Sequence, residues 1–244
     1  MHPPKKNWRA HRLWRAGHAD RPSLTAKIVM PSGIVTNVTM LGVHRRRGYI
    51  AAMTFNDRSS LLDYLRTRRS GKPRDMVAPG PGDAEIDAMI AIAARTPDHG
   101  KLAPWRFVVV PQDQRAAFAA LLRRAQAAEN AQVTEAQLEA SERFAHEGEA
   151  LVVVLSAPVD GHIPRWEQDL SAGAATMNLL HAAHAMGYVA SWLTGWAAYS
   201  DRVRDAFGGP DDRIAGFVFI GSPGHPLDER PRPDLARVGT RWSG

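Results

Sequence analysis

Between residues 83 and 110 a helix is forced to stop, a polar loop follows, and a buried strand begins. This succession constrains the fold more than any other stretch of the chain. Ile86, Met89, Ile90 and Ala93 recur at i, i+3, i+4 and i+7, so they share one face of a helix. Asp83 is the expected N-cap, and Pro97 disfavours helical backbone at the residue before it. Phe107 to Val110 then predicts a short buried strand. The intervening loop gathers Arg95, Asp98, His99, Lys101 and Arg106 beside Trp105. Such a loop is either a solvated connection or a cationic, aromatic turn that receives a planar anion.

The chain has 244 residues, enough for one large domain or two small ones with a real core. It contains no cysteine, which removes disulfides, thiolate metal sites and cysteine nucleophiles together and fits a cytoplasmic protein. Its longest apolar runs, such as Leu151 to Leu155, have the length of strands rather than of membrane spans. The net charge of +6 is unevenly distributed. Residues 1–52 carry ten basic residues against Asp20 alone, a local +9 that leaves −3 on residues 53–244. The main body therefore has no basic footprint for nucleic acid.

Residues 1–52 lack sustained apolar periodicity. A basic binding arm, a targeting signal and an upstream extension with no folded role compete for this segment. Pro31, Gly33 and Asn37 interrupt the run from Ile28 to Val43 too often for a signal core. The third reading is preferred, with residues 1–52 disordered or untranslated, translation starting at Met53, and the body at residues 53–244.

In the body, Leu61, Leu62 and Leu65 predict a short helix over 59–69 that closes on Arg68-Arg69-Ser70-Gly71-Lys72. That closing segment either complements the helix dipole or offers two guanidiniums, a hydroxyl and an ammonium to a phosphate monoester. A Pro/Gly-rich connector over 75–82 leads to the helix described above. Further helices are expected over 115–128, 134–146, 170–187 and 201–207, and strands over 151–157, near 188–193 and over 214–220. His162 to Asp169 reads as a polar loop, and the tail from Leu227, with Arg230-Pro-Arg232-Pro, as extended chain that needs a surface to lie on. Ser171 to Ala175 give the 170–187 helix a small-residue face suited to a central or dimer-interface position. His181 and His184 on that helix lack HExxH spacing or an acidic neighbour, so no metal site is expected. G-x-G-x-x-G after a strand, the P-loop and G-x-S-x-G are all missing, which withdraws the usual support for kinase and hydrolase readings.

Four motifs occur in one order: Arg68-Arg69-Ser70 closing a helix; Arg95-x-Pro97-Asp98-His99 with Pro104-Trp105 before a strand; Pro164-Arg-Trp-Glu-Gln168 before a small-residue helix; and Gly216-Phe-x-x-x-Gly221-x-Pro223. Together, over roughly residues 58–242, they resemble the nitroreductase family of FMN-dependent oxidoreductases, and in particular its short bacterial NAD(P)H branch. The resemblance implies an α+β fold, a mixed sheet flanked by helices, in an intertwined homodimer with FMN at the subunit interface. It further implies that Arg68, Arg69 and Ser70 hold the FMN phosphate and ribityl side, with Lys72 nearer the ring. Arg95 and His99 are further flavin contacts by the same resemblance, and Trp192, Leu193 and Thr194 lie along the isoalloxazine. Arg230 and Arg232 both remain candidates for the phosphate.

The function so implied is hydride transfer from NAD(P)H through FMN to a nitroaromatic, quinone or similar flat acceptor. FMN carries the chemistry, so no obligatory catalytic side chain is expected, and neither nucleic acid nor membrane is a partner. Enone reduction or dehalogenation on the same fold, a non-catalytic FMN-binding protein, and nucleic-acid binding through the basic arm are the rival readings.

Overall fold

The computed structural model describes residues 54–244, together with the backbone of residues 25–29 and 35–39. The chain divides into two units, Met1–Ala51 and Ala52–Gly244. In the first, β1 (Thr25–Val29) and β2 (Val35–Thr39) form an antiparallel ladder in which Thr25 faces Thr39 and Val29 faces Val35. The reading of residues 1–52 as a disordered or untranslated extension, and of Met53 as the start, otherwise lies outside the described residues.

The second unit is built on one sheet. β5 (Ala150–Ser156) is buried along its whole length. Val152 and Val154 enter one apolar cluster, while Leu151, Val153 and Leu155 enter another. A strand covered on both faces needs apolar residues at every position, which is why Leu-Val-Val-Val-Leu is continuous rather than alternating. One face is covered by α2 (Asp83–Ala93) and α5 (Arg165–Ala185). The other is covered by α3 (Arg115–Glu129), α4 (Glu135–Ala145) and the short α6 (Asp201–Asp205). On that second face Phe118, Phe144, Phe217 and Phe219 meet in edge-on and tilted pairs. Arg115 is buried at the start of α3 and donates to the carbonyls of Val110, Ala145 and Glu147, tying both helices of this layer to the sheet.

The strand order is β3 (Met76–Val77), β7 (Arg213–Pro223), β5, β4 (Trp105–Val109), with β6 (Val189–Leu193) also paired to β7. The α+β sheet flanked by helices agrees with the sequence reading. Every pairing among the described residues is antiparallel. β5 and β6 are parallel to each other, as a strand–helix–strand connection through α5 requires, but β7 lies between them and runs against both.

Helix ends differ locally from expectation. α1 (Leu61–Thr67) is capped by Ser60, whose hydroxyl accepts from the Asp63 N–H. α2 takes Gly82 rather than Asp83 as its N-cap, with Glu85 reaching back to the Gly82 N–H at 3.0 Å. α5 begins at Arg165, so most of the expected 162–169 loop is helix. Pro164 starts it, and Gln168 turns inward to bond the backbone of Val159 and Ile163. The 75–82 connector contributes β3, and the tail closes in one turn, α7 (Leu235–Val238), capped by Asp234 beyond the prolines.

Candidate functional site

α1 stops at Thr67, one residue before the Arg68-Arg69 pair. Arg68 turns to extended backbone (φ −54°, ψ 124°), and Asn56 brackets the next residue, accepting from the Arg69 N–H at 2.8 Å and donating to the Arg69 carbonyl at 3.0 Å. Gly71 follows so close to the first residue of β6 that a Cβ there would come within 2.9 Å of the Val189 side chain. The segment 68–72 is thus held at Arg69 by Asn56 and against the start of β6 by Gly71.

Around it the cations converge. Arg68 Nη1 donates to Ser70 Oγ at 3.3 Å, and Arg69 Nε donates to the Asp228 carbonyl at 2.6 Å, which lays the tail across this corner. Arg232 Nη2 reaches the Arg68 carbonyl at 3.5 Å and Glu229 Oε1 at 2.9 Å. Burial holds the Arg68 guanidinium below its ordinary pKa, and Arg232, Arg69 and Arg230 push in the same direction, while Tyr64 opposes them. Lys72 is turned toward carboxylates, 3.7 Å from Asp228 Oδ2 and 3.9 Å from Asp75 Oδ2.

Behind this corner lies a network that the sequence reading missed. Tyr64 is the one buried residue of α1, and its hydroxyl lies 2.6 Å from His181 Nδ1 and 3.0 Å from His184 Nδ1. His184 Nε2 accepts from the Ala190 N–H at 3.2 Å. The neutral His184 ring therefore carries its proton on Nδ1 and donates it to Tyr64, which in turn donates to His181. Burial, then the Arg68 charge, holds the His184 pKa down to about 4 and lowers that of His181, while burial raises Tyr64 to about 12. All three groups are uncharged at neutral pH. The signal available in the sequence was Tyr64 itself, one turn before Arg68 among leucines.

The other expected residues lie elsewhere. His99 is exposed, with Nδ1 2.9 Å from Glu167 Oε2 in the first turn of α5. Arg95 is exposed just beyond α2, in a loop tied to α5 by Asn178 to Thr96 at 2.6 Å and Ser171 to the Pro97 carbonyl at 2.9 Å. Trp192 donates its indole N–H to the Ala215 carbonyl at 2.8 Å and lies over Gly216, where any Cβ would collide with the ring. Leu193 packs against the α3/α4 face, and Thr194 is exposed past the end of β6.

The nine residues therefore occupy three places. Arg68, Arg69, Ser70 and Lys72 share a corner at the start of β6. Thr194 is five residues further along, about 16 Å of extended chain. Glu167, which holds His99, and His181, which holds Tyr64, are fourteen residues apart on α5, about 21 Å of helix. Among the described residues, no cluster of three or more His, Asp or Glu is arranged to hold a metal, and no helix is long and apolar enough to cross a membrane.

The model of the nitroreductase family matches residues 65–222. A Haemophilus influenzae protein named "Putative NAD(P)H nitroreductase" is 34% identical over 164 residues, 66% of this chain and 87% of that protein. YdjA of Escherichia coli K12, of the same name, is 32% identical over the same shares. Among solved structures, a nitroreductase-like protein from Bacillus cereus superposes with a TM-score of 0.65 at 17% identity, covering 76% of this chain and 97% of its own. A "putative nitroreductase in complex with FMN" from Desulfovibrio desulfuricans gives 0.56 at 20% identity, covering 75% and 96%.

Proposed function

The chain belongs to the nitroreductase family, and on that premise we propose that it is an FMN-dependent NAD(P)H oxidoreductase. The observation that carries the proposal is the corner at residues 68–72. Two guanidiniums and a hydroxyl within three residues, with the tail arginines beside them, form a donor set matched to a phosphate monoester. Arg68, Arg69 and Ser70 hold the FMN phosphate, and Arg232, drawn against the Arg68 carbonyl, is the better placed of the two tail arginines to join them. Lys72, paired with Asp228 and Asp75, borders the site. Trp192, Leu193 and Thr194 form the wall along the ring.

Arg95 and His99 complete the site from a second copy of the chain. This reading is supported by the length of α5 between the His99 pair and the Tyr64 corner, too great for one flavin to touch both ends within one subunit. It is also supported by large apolar side chains left exposed at the first turns of α5, Trp166 at 64% and Leu170 at 61%, and on α1 and the tail, Leu61, Leu65, Leu235 and Trp242. The assembly is a homodimer, and the working body is residues 53–244. His99, held through Nδ1 by Glu167, presents Nε2 outward as a positioning hydrogen-bond partner.

When bound, FMN supplies hydride transfer between NAD(P)H and a flat acceptor such as a nitroaromatic or a quinone. The protein's part is to orient the ring and to place cations about the phosphate. The test is the visible spectrum of the purified protein before and after anaerobic NADPH. Flavin bands that bleach support the reading. A colourless protein that cannot be reconstituted with FMN overturns it.

A further inference from the structure

We propose that Tyr64 is a positioning residue for the anion-binding corner, acting as the bolt that fixes the Arg68–Ser70 segment against α5. The inference rests on the reading of that corner as the flavin-phosphate site.

α1 has only seven residues and is too short to be stable by itself. Its leucines contribute little to holding it, since Leu61, Leu62 and Leu65 are all more than half exposed. Tyr64 is buried, and it is the residue through which α1 engages α5, its ring edge-on to both His181 and His184. Its hydroxyl has two partners of fixed polarity. The Ala190 N–H dictates the His184 tautomer, His184 donates to Tyr64, and Tyr64 donates to His181. One hydroxyl used once as donor and once as acceptor sets the rotation of α1 about its axis. Arg68 stands one helical turn later on the same face, so the direction in which it leaves the helix follows from that rotation. Replacing the hydroxyl by hydrogen leaves the ring packing intact, but it leaves the buried His184 Nδ1–H without a partner and the corner without its reference point.

The experiment compares FMN with riboflavin, which lacks the phosphate, on the full chain. Dissociation constants for both are measured by flavin fluorescence for the wild type and for Tyr64→Phe, with thermal melting alongside. The expected result is a loss of about five- to tenfold in FMN affinity with riboflavin affinity unchanged, so that the FMN-to-riboflavin preference falls. A general loosening of the fold would weaken both ligands alike, and that outcome overturns the proposal. So does an unchanged preference. A wild type that binds both flavins equally removes the phosphate reading itself, and the bolt with it. If Tyr64→Phe does not fold, His181→Asn, which strips one side of the bracket at a half-buried position, decides by the same ratio: a fall supports the bolt and no change overturns it.

Discussion

The two ends of α5 are built from the same materials to opposite effect. At its last turns, His181 and His184 sit behind Tyr64 and Arg68 in a desolvated network where every ring nitrogen with a near neighbour has its role fixed by it. At its first turn, His99 and Glu167 make one hydrogen bond in the open, flanked by Trp166 and Leu170 turned outward. One end is complete within the chain, whereas the other presents chemistry and apolar surface that nothing among the described residues receives. On the proposed function, the difference separates what one copy would do, hold the flavin phosphate, from what would take two.

The comparison breaks most visibly if the open end is made repulsive. Trp166→Asp combined with Leu170→Asp is expected to give a monomer by sedimentation that keeps its helical circular dichroism but retains no FMN through gel filtration. A flavin-loaded monomer would show that the open end contributes nothing. Next is acidification of the closed end. His184 in the folded chain titrates near 4, below the 6.5 of an unperturbed histidine, so the unfolded chain binds the extra proton between those values. Stability is full above pH 6.5 and is lost as pH falls toward 4, by about 3 kcal/mol from this residue. Urea unfolding at pH 7 and pH 4.5 measures the loss, and a His184→Gln variant should show a shallower dependence. Arg68→Ala should weaken FMN by about ten- to a hundredfold while sparing riboflavin, as expected for a charge-assisted contact to phosphate. The smallest effect belongs to His99→Ala. An exposed pair of this kind changes stability by no more than about 0.5 kcal/mol, so melting should hardly move while flavin affinity falls a few-fold.

The sheet and its covering helices were legible because their signals are local. The continuous run at β5 and the i, i+3, i+4 pattern of α2 depend only on neighbours in sequence. The start of α5 was misread because Gln168, a polar residue in an apparent loop, is buried by bonds to the backbone of Val159 and Ile163 that only the folded chain supplies. No local signal shows that β7, remote in sequence from β5, inserts between β5 and β6. At the site, Arg68 to Ser70 could be named from the motif. Tyr64, His181 and His184 are brought together from positions more than a hundred residues apart, so no spacing rule reveals that the histidines considered for metal serve a tyrosine instead.

The central position of β7 also has a consequence for synthesis on the ribosome. The sheet partners of β3, β6 and one edge of β5 all lie within residues 213–223, later in the chain than each of those strands. A nascent chain that has already extruded α5 and β6 carries apolar strands with unpaired edges until β7 emerges. The delay leaves those edges open to pairing with other chains. Slow translation ahead of codon 213 is therefore a hazard for this protein, and stalled chains ending before β7 should be bound by chaperones in preference to longer ones.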